Sequence, residues 1–458
     1  MKLFLDRYLC FLNYKIIYTQ KKICVIIKEN NKVINLTVGD IIKSVTVAVI
    51  GGGAAGIISA ITCARALGKG SKVAIIEKQT RVGRKLLATG NGRCNITNRN
   101  VSPEHYYGDR QIINTVLEGF SPSDSESFFG EMGILFRDDD EGRVYPYSNQ
   151  AATVLDCMRA ECSRLGVEEL CDFSVLSIKK ENGMFIITST DIKIKAEYVI
   201  IATGSQASPL LGSNDSGYRL LHSLGIESTP LYPSLSPVYT KEKYKNLKGV
   251  RAKGDISLIA DNKVLKKRSG EIQFTDYGLS GICVFEISRF VNEFFMLGKI
   301  SDRKVNEIKL SVDVMSEYSF SNLCIYLQKC KKIFAESKAM DILSGALNRK
   351  LSQSITEYCK LSNKPCKSLT DSDIKKIAGA VKNFVFTPII SDGYKSAQVG
   401  AGGINSEYID PKTLMSRKIK NLFVCGELLD VDGDCGGYNL HFAFGSGMIP
   451  SKTISKKI

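Results

Sequence analysis

A glycine-rich turn between a buried strand and a helix constrains the fold of this 458-residue chain more than any other feature. Residues 45–50, VTVAVI, form a β-branched and apolar run, as expected for a parallel strand buried on both faces. Gly51-x-Gly53-x-x-Gly56 follows directly, and residues 54–67 continue as a helix of small and apolar residues. Such glycines permit a tight turn, close approach of a pyrophosphate, and close packing of helix on strand. The pattern therefore predicts a Rossmann-type dinucleotide site with the diphosphate at the helix N-terminus.

An acidic residue at the end of the next strand supports this prediction. Residues 73–76 form a second apolar strand, and Glu77 ends it 21 residues after Gly56. A carboxylate at this point accepts hydrogen bonds from both ribose hydroxyls and repels a 2′-phosphate. A GxGxxG motif alone is a weak signal, but strand, helix, second strand and acid together indicate a true dinucleotide site.

A second glycine-rich segment near the C-terminus supplies the other half of the expected site. Residues 198–203, YVIIAT, form a buried strand that runs into Gly204, and residues 422–426, LFVCG, form another that ends at Glu427. In two-dinucleotide-binding flavoproteins the corresponding strand ends in Gly-Asp, and the acid holds the ribityl chain. Glu427 takes that place here, which departs from the pattern, and a nearby aspartate could share the role: Asp430, Asp432 or Asp434.

No other part of the sequence combines a strand, a GxGxxG turn and an acid. We therefore expect FAD as the resident cofactor and NAD(P)H as a donor that binds transiently at the flavin face. The predicted fold class is α/β, with a Rossmann-type FAD-binding domain of the two-dinucleotide-binding flavoprotein kind. An inserted β-barrel-like domain and a helical subdomain complete it.

Six segments support comparison with known proteins: GGGAAG, GRKLLATGNGRCNITN, GRVYP, FTDYGLSG, VGAGGI and GELLDVDGDCGGYNL. At these segments the chain resembles the BaiN-like (YhiN-like) family of FAD-dependent oxidoreductases, over about residues 45–450. Members have been described as aminoacetone oxidases, bile-acid reductases and a ribosomal RNA dihydrouridine synthase. The resemblance implies the cofactor and the reaction type, but no single substrate.

The motifs and the resemblance together predict the cofactor-binding residues. Backbone amides of residues 436–439 are expected to approach the flavin ring and to stabilise negative charge on its pyrimidine edge. The full predicted set is Gly51, Gly53, Ala54, Ala55, Gly56, Glu77, Lys78, Gly83, Arg84, Lys85, Gly90, Asn91, Arg93, Cys94, Asn95, Ala202, Thr203, Gly204, Gly426, Glu427, Asp434, Gly436, Gly437, Tyr438, Asn439 and Leu440.

Four side chains are candidate catalytic proton donors beside that ring: Cys435, Tyr438, His441 and Cys94. Arg93 precedes Cys94, and a nearby guanidinium would lower the pKa of the thiol. Packing or loop geometry is an equally open role for each of the four. Arg93 and Asn95 are expected to orient the cofactor or the loop over it.

The sequence is expected to form four parts. A basic N-terminal extension covers residues 1–44, and the FAD-binding domain covers 45–225 and 396–458, with helices expected over 149–165 and 441–454. The β-rich insertion covers 226–319 and 380–395, and a helical basic subdomain covers 320–379. Two interpretations of the extension stay open, since members of the resembled family begin almost directly at the first strand. It is either an upstream mis-start, with translation beginning at Val45, or a genuine basic arm.

Positive charge is concentrated in the insertion. Residues 241–270 hold ten Lys or Arg against three Asp or Glu, and residues 326–382 hold twelve against five, so each segment has a net charge of +7. The extension adds +5, while the whole chain has a net charge of +15, so the remainder is slightly acidic. A lysine-rich composition would raise the lysine content of every segment, so the clustering argues against composition alone as the cause of the charge. The pattern favours a polyanionic partner, ribosomal RNA, with tentative contacts at Lys266, Lys267 and Arg268.

Composition excludes several other classes of protein. Fourteen cysteines without CxxC pairs indicate reduced thiols and a cytoplasmic location, and Cys157 and Cys162 are expected to be structural. Three histidines without ligand spacing predict no metal site, and the apolar runs of the extension are too short for a membrane span.

Two functions are consistent with these features. The first is NAD(P)H-driven reduction of a conjugated C=C bond, with uridine to dihydrouridine in large-subunit ribosomal RNA as the favoured reaction. The second is a small-molecule flavin oxidase or reductase, acting on a substrate such as aminoacetone or a bile acid.

Overall fold

The computed structural model describes residues 14–19, 22–29, 32–38, 41–68, 70–190 and 192–457. Residues 1–13 of the predicted extension lie outside these ranges. The α-helices are α1 (Ala54–Leu67), α2 (Arg110–Gly119), α3 (Pro122–Gly130), α4 (Ala151–Arg164), α5 (Ser216–Ser223), α6 (Ile282–Leu297), α7 (Phe320–Ile333), α8 (Arg349–Tyr358), α9 (Asp371–Lys382) and α10 (Tyr438–Ile454).

The strands are β1 (Tyr14–Thr19), β2 (Lys22–Glu29), β3 (Lys32–Val38), β4 (Ile41–Ile50), β5 (Val73–Ile76), β6 (Thr97–Asn98), β7 (Tyr106–Gly108), β8 (Phe136–Asp138), β9 (Arg143–Pro146), β10 (Glu168–Leu170), β11 (Ser177–Glu181), β12 (Met184–Thr188), β13 (Ile192–Ile201), β14 (Tyr232–Ser234), β15 (Val238–Tyr239), β16 (Arg251–Ala260), β17 (Lys263–Phe274), β18 (Gly278–Ser280), β19 (Lys299–Ile300), β20 (Arg303–Lys304), β21 (Ile308–Asp313), β22 (Phe384–Phe386), β23 (Val399–Ala401), β24 (Leu422–Val424) and β25 (Val431–Gly433).

A seven-stranded, mostly parallel sheet forms the centre of the predicted FAD-binding domain. Strands β10, β5, β4, β13 and β24 are parallel, and β12 and β11 add an antiparallel edge. The sheet therefore has the Rossmann-type character that the sequence predicts. Strand β4 begins at Ile41 rather than near Val45, because residues 41–44 pair with residues 192–195 of β13. Part of the predicted extension thus belongs to this sheet, while β1, β2 and β3 form a separate antiparallel sheet.

Helices α1 and α10 pack closely on each other and position the two glycine-rich segments. A Cβ on Gly447 of α10 would lie 2.6 Å from the carbonyl oxygen of Ala55, so only glycine permits this approach. The hydroxyl of Ser59 on α1 also donates to the carbonyl of Gly447, at 2.9 Å. The N-termini of α1 and α10 consequently face the same region, one from each end of the sequence.

The insertion contains a six-stranded antiparallel sheet in the order β15, β18, β17, β16, β21, β22. The two edge strands meet, because Thr240 bridges Pro388 and the Ile389 amide donates to the Tyr239 carbonyl at 2.9 Å. This closure gives the barrel-like arrangement that the sequence predicts. Helix α6 packs against β17, inside the stretch 226–319 that was expected to be β-rich.

Helices α7, α8 and α9 lie between β21 and β22 in the sequence and share the hydrophobic core of the barrel. A second, separate core joins α1, α10 and the parallel sheet. No described helix has both the length and the apolar character to cross a membrane.

Candidate cofactor and substrate site

A cavity of about 480 Å³ opens at the carboxyl ends of β4, β5 and β13. This edge of a parallel sheet is where open α/β folds bind nucleotides. Most of the predicted cofactor residues line the cavity: Gly51, Gly53, Ala54, Ala55, Glu77, Lys78, Gly83, Arg84, Lys85, Gly90, Asn91, Arg93, Asn95, Ala202, Thr203, Gly204, Gly426, Glu427, Gly436, Gly437, Asn439 and Leu440. Four other predicted residues do not line it: Gly56, Cys94, Asp434 and Tyr438.

The three glycines of the GxGxxG motif have different surroundings. A Cβ on Gly51 would lie 2.5 Å from the carbonyl oxygen of Ala202, and φ at Gly51 is +103°, so the turn requires glycine. A Cβ on Gly56 would lie 1.9 Å from the carbonyl oxygen of Gly51, which is the close helix–strand contact expected of the third glycine. A Cβ on Gly53 would meet nothing within 4 Å, so the backbone at Gly53 is open to the cavity. This arrangement suits a diphosphate at the N-terminus of α1.

Glu77 is held at the cavity edge by backbone amides. Its carboxylate accepts hydrogen bonds from Gly52 N at 2.7 Å and from Gln79 N at 2.8 Å. These contacts fix the carboxylate beside the glycine turn, where a ribose would follow the diphosphate.

Replacement of Glu77 by alanine is expected to weaken FAD binding by roughly 2–4 kcal/mol, because two charge-assisted hydrogen bonds to ribose hydroxyls are lost. Titration of the apoprotein with FAD measures the change, and circular dichroism shows whether the variant is folded. An unchanged dissociation constant in a folded variant means that the acid does not contact the ribose.

Glu427 also lines the cavity and is the centre of a polar cluster. Its carboxylate accepts from Ser205 Oγ at 2.7 Å, from Gly400 N at 2.9 Å and from Lys85 Nζ at 2.8 Å. Lys85 belongs to the early glycine-rich segment, so this ion pair joins the two halves of the sequence at one point. Glu427 thus lies where the sequence places the acid of the late strand.

The segment before α10 presents backbone to the cavity. Gly436 and Gly437 have φ values of +122° and +103°, and Gly437 caps the N-terminus of α10. Asn98 fixes this turn by donating to the Gly436 carbonyl at 2.9 Å. The buried side-chain oxygen of Asn95, which also lines the cavity, has no hydrogen-bond partner among the described residues. A polar ligand group at this end of the cavity would satisfy it, which fits a flavin ring with its amide edge.

The three aspartates that were considered to share the role of Glu427 do not line the cavity. Asp434, assigned to the cofactor from the sequence, instead accepts hydrogen bonds from Tyr107 OH at 2.9 Å and from His105 Nδ1 at 3.1 Å. Asp432 is buried against Arg289 of the barrel. In a short loop, successive side chains point in different directions, and the sequence alone does not show which acids point away from the cavity.

Two of the four candidate proton donors have a structural role. The thiol of Cys94 is fully buried, and burial raises its pKa to about 12, so the expected lowering by Arg93 is wrong. His441 is also fully buried. Its Nε2–H donates to the Phe120 carbonyl at 2.9 Å, and Nδ1 accepts from Thr97 Oγ1 at 2.8 Å. Both ring nitrogens are therefore engaged away from the cavity.

The other two candidates differ in position. The ring of Tyr438 stacks on His105 with centroids 4.3 Å apart, and burial raises the pKa of its hydroxyl to about 12. Cys435 does line the cavity, and burial, with Glu286 nearby, raises the pKa of its thiol to about 11. Cys435 is therefore a neutral thiol at physiological pH.

Several cavity residues were not assigned from the sequence. Arg143 and Tyr145 lie two positions apart on β9, so both side chains reach the same wall. Ile282 and Phe285 come from the first turn of α6 and form an apolar wall contributed by the barrel. The segment GRVYP was visible as a motif, and the period-two alternation within it was the signal that singles out Arg143 and Tyr145.

Comparison with known proteins agrees with this geometry. Residues 45–453 match the family model described as the HI0933-like protein Rossmann domain. The chain belongs to this HI0933-like family. It is accordingly an FAD-dependent oxidoreductase, as the resemblance to BaiN-like proteins implied.

Three curated relatives of this HI0933-like protein carry two kinds of name. A 3-dehydro-bile acid delta(4,6)-reductase of Clostridium scindens is 34% identical over 418 residues, covering 90% of this chain and 99% of the relative. A ribosomal RNA dihydrouridine synthase of Haemophilus influenzae is 26% identical, covering 89% and 98%. The ribosomal RNA dihydrouridine synthase of Escherichia coli is also 26% identical, covering 87% and 95%.

The lysine and arginine residues proposed from the sequence as RNA contacts lie on β17, where carboxylates and an aromatic ring engage them. Lys267 pairs with Asp255 at 2.7 Å, and Arg268 pairs with Glu286 at 2.8 Å. Lys266 lies over the ring of Phe290, with Nζ 4.8 Å from its centroid. Because two of the three charges are already compensated, this site is less suited to phosphate binding than the sequence suggested.

His441 is expected to make stability depend on pH. Burial lowers its pKa to about 4 from an ordinary value of 6.5, so the unfolded chain binds a proton before the folded protein does. The contribution of His441 to the free energy of unfolding is therefore fully present above about pH 6.5 and is lost as the pH falls from 6.5 to 4. Between pH 7 and pH 4.5 the loss is about 2 kcal/mol. Urea unfolding at the two pH values should show that loss in a His222→Gln control, and not in His441→Gln. Equal losses in both variants would contradict a neutral His441.

Proposed function

We propose that this protein takes electrons from NAD(P)H through FAD and reduces a C=C bond conjugated to a carbonyl, with a uridine of large-subunit ribosomal RNA as substrate. The observation that carries the substrate choice is an uncompensated basic surface on α7, α8 and α9. The reaction class rests on the family and on a cavity with one polar and one apolar wall.

The described residues would hold FAD in a defined order along the cavity. The diphosphate would lie at the turn from Gly51 to Gly56, and the ribose at Glu77. The ribityl chain would lie near the Lys85–Glu427 pair, and the ring against Gly436 and Gly437. Bound FAD would supply the hydride, and a nicotinamide donor would approach transiently, since the sequence contains no second GxGxxG unit.

The end of the cavity at Gly436 suits a flat, conjugated ring. Ile282 and Phe285 form an apolar wall, and Arg143 and Tyr145 form a polar one. Uracil has an apolar face and carbonyl oxygens at its edge, and its C5–C6 bond is conjugated to the C4 carbonyl. A base in RNA would have to leave its stack to enter the cavity.

The basic surface distinguishes an RNA substrate from a small molecule. Six exposed lysines on or beside α7, α8 and α9 make no ion pair within the described part of the chain. Such uncompensated charges bind phosphates and make affinity fall steeply with salt. These lysines are Lys329, Lys332, Lys350, Lys360, Lys375 and Lys376.

A small-molecule substrate is the second candidate, and one observation favours it. The relative named as a bile-acid reductase is more similar to this chain, at 34% identity, than the two named as RNA-modifying enzymes, at 26%. A steroid enone would also fit between an apolar and a polar wall. It offers no chemical match to the six lysines.

Mass spectrometry of ribosomal RNA from a deletion strain tests the proposal. We expect one large-subunit dihydrouridine to be absent and to return on complementation with the wild-type gene. A variant with Lys329, Lys332, Lys375 and Lys376 changed to glutamate should restore little of it. In vitro, the slope of log K for RNA binding against log salt concentration should be less steep by about three in this variant, because roughly four phosphate contacts are lost.

A matched control changes the same number of charges elsewhere. Lys72, Lys179, Lys412 and Lys420 are exposed on the predicted FAD-binding domain and make no described ion pair, so their glutamate variants should complement fully. If the deletion strain keeps all its dihydrouridine, the RNA proposal fails. Reduction of a 3-oxo-4-ene steroid by the purified protein with NAD(P)H would then support the second candidate.

A further inference from the structure

The polar wall of the cavity carries an anchored guanidinium, that of Arg143, whose Nε–H donates to no described residue. Asp139 contacts Arg143 Nη1 at 3.4 Å, and Glu141 contacts Nη2. Asp139 also accepts from the Arg143 backbone amide at 2.9 Å, so the hairpin between β8 and β9 fixes the residue. Nε makes no hydrogen bond to the described residues, and the side chain is only 16% exposed. Hydrogen bonding therefore holds the outer nitrogens and leaves Nε for another acceptor.

Arg143 lies beside the turn that is expected to contact the flavin ring. A Cβ on Gly436 would lie 3.5 Å from Arg143 Nε, and 3.6 Å from both Asn98 Nδ2 and a ring carbon of Tyr438. The missing side chain at Gly436 thus keeps a small space next to Nε. Two other cations of the cavity are engaged elsewhere: Lys85 pairs with Glu427, and the guanidinium of Arg93 lies 4.6 Å from the centroid of the Tyr145 ring.

The guanidinium of Arg143 is positively charged at any physiological pH. Burial alone would lower the pKa of Arg143, but Glu141 and then Asp139 raise it, and the net direction is upward. A permanently charged donor at a half-enclosed wall stabilises negative charge that develops during a reaction.

We propose that Arg143 is a catalytic residue that binds the carbonyl oxygen of the substrate through Nε and stabilises the enolate formed when the conjugated C=C bond is reduced. This rests on the proposed function. The β carbon gains a hydride, which forms a C–H bond, and the π electrons of C=C move to make an enolate at the carbonyl oxygen. The α carbon then takes a solvent-derived proton, so one NAD(P)H and one proton saturate the bond.

The two half-reactions separate this role from cofactor binding. In Arg143→Gln we expect FAD content and the rate of flavin reduction by NAD(P)H to be unchanged within about threefold. Flavin reoxidation by the organic acceptor should fall by about 100-fold or more, the usual effect of losing a preorganised oxyanion donor. Reoxidation by ferricyanide, a one-electron acceptor without a carbonyl group, should be unaffected. The acceptors are ribosomal RNA purified from the deletion strain and a 3-oxo-4-ene steroid.

Two further readouts distinguish chemistry from structure. Guanidinium ion at millimolar concentration should restore part of the activity of Arg143→Ala, since it can occupy the space of the lost side chain. Phenolate, an enolate mimic, should bind the oxidised wild-type protein at least about tenfold more tightly than Arg143→Gln, because a charge-assisted hydrogen bond is lost. The matched control is Arg137→Gln on the neighbouring strand β8, an exposed guanidinium that lies 4.0 Å from the centroid of the Tyr147 ring.

The outcomes for the wild type and for the variant answer different questions. If the wild type reduces neither acceptor, the proposed function fails, and this inference fails with it. If the wild type reduces one of them and Arg143→Gln does so equally fast, only the inference is overturned. Loss of FAD from Arg143→Gln, together with no rescue of Arg143→Ala by guanidinium, would also overturn it, by making Arg143 a cofactor-binding residue.

Discussion

Replacement of Gly56 by alanine should prevent the protein from reaching its native stability and from retaining FAD. The new Cβ would lie 1.9 Å from the carbonyl oxygen of Gly51, an atom of the backbone turn that leads into α1. Neither the turn nor the helix can move without disturbing β4 or the packing of α1 on α10. We expect a loss of at least about 3 kcal/mol, seen as a fall in Tm of about 10 °C or as insoluble protein.

The neighbouring Gly53 provides the matched control. Its φ and ψ of −84° and −169° suit alanine, and a Cβ there would contact nothing within 4 Å. Gly53→Ala should therefore fold with the Tm of the wild-type apoprotein, while its Cβ intrudes on the diphosphate position and weakens FAD binding about tenfold or more. Thermal unfolding of both apoproteins, followed by titration with FAD, separates the two effects. A wild-type Tm in Gly56→Ala would show that the helix does not pack on the turn as described.

These glycines explain why so much of the cofactor site could be predicted from the sequence. Gly51 has a φ of +103°, and a Cβ at Gly56 would lie 1.9 Å from a backbone oxygen, so this turn admits only glycine at both positions and the local sequence reflects the geometry directly. Glu77 could be predicted from the same unit, because it directly follows β5, the strand that must pair beside β4. Segments that are close in sequence and tightly constrained are therefore predictable.

Other parts of the site depend on contacts between distant segments. Helix α6 was missed because it lies within a stretch of short strands, although its buried residues recur with helical spacing. Asp434 and His441 follow glycine-rich motifs, and only the packed structure shows that Tyr107 and Phe120 engage them away from the cavity. The sequence identified a segment near the flavin, while the direction of each side chain was set by tertiary packing.

The second large effect is expected where the barrel meets the predicted FAD-binding domain. Asp432 follows the late flavin strand, and its side chain is 1% exposed. Arg289 of α6 contacts both of its carboxylate oxygens through Nε, at 3.1 and 3.0 Å, and Ser234 Oγ donates to it at 3.2 Å. The guanidinium also lies 4.6 Å from the centroid of the Tyr107 ring. The pair thus joins two separate hydrophobic cores at a buried point.

Asp432→Ala should cost about 3 kcal/mol or more, because it leaves a buried guanidinium without its main partner. Glu293 lies 3.5 Å from Arg289 Nη1 and can replace only part of the interaction. The double variant Asp432→Leu with Arg289→Met removes both charges and should regain most of the loss, since paired apolar groups need no compensation. Urea unfolding of the three proteins measures the differences, and Asp138→Ala in the exposed Arg99–Asp138 pair should cost less than about 1 kcal/mol. If Asp432→Ala and Asp138→Ala cost the same, the contact between the two domains does not depend on this ion pair.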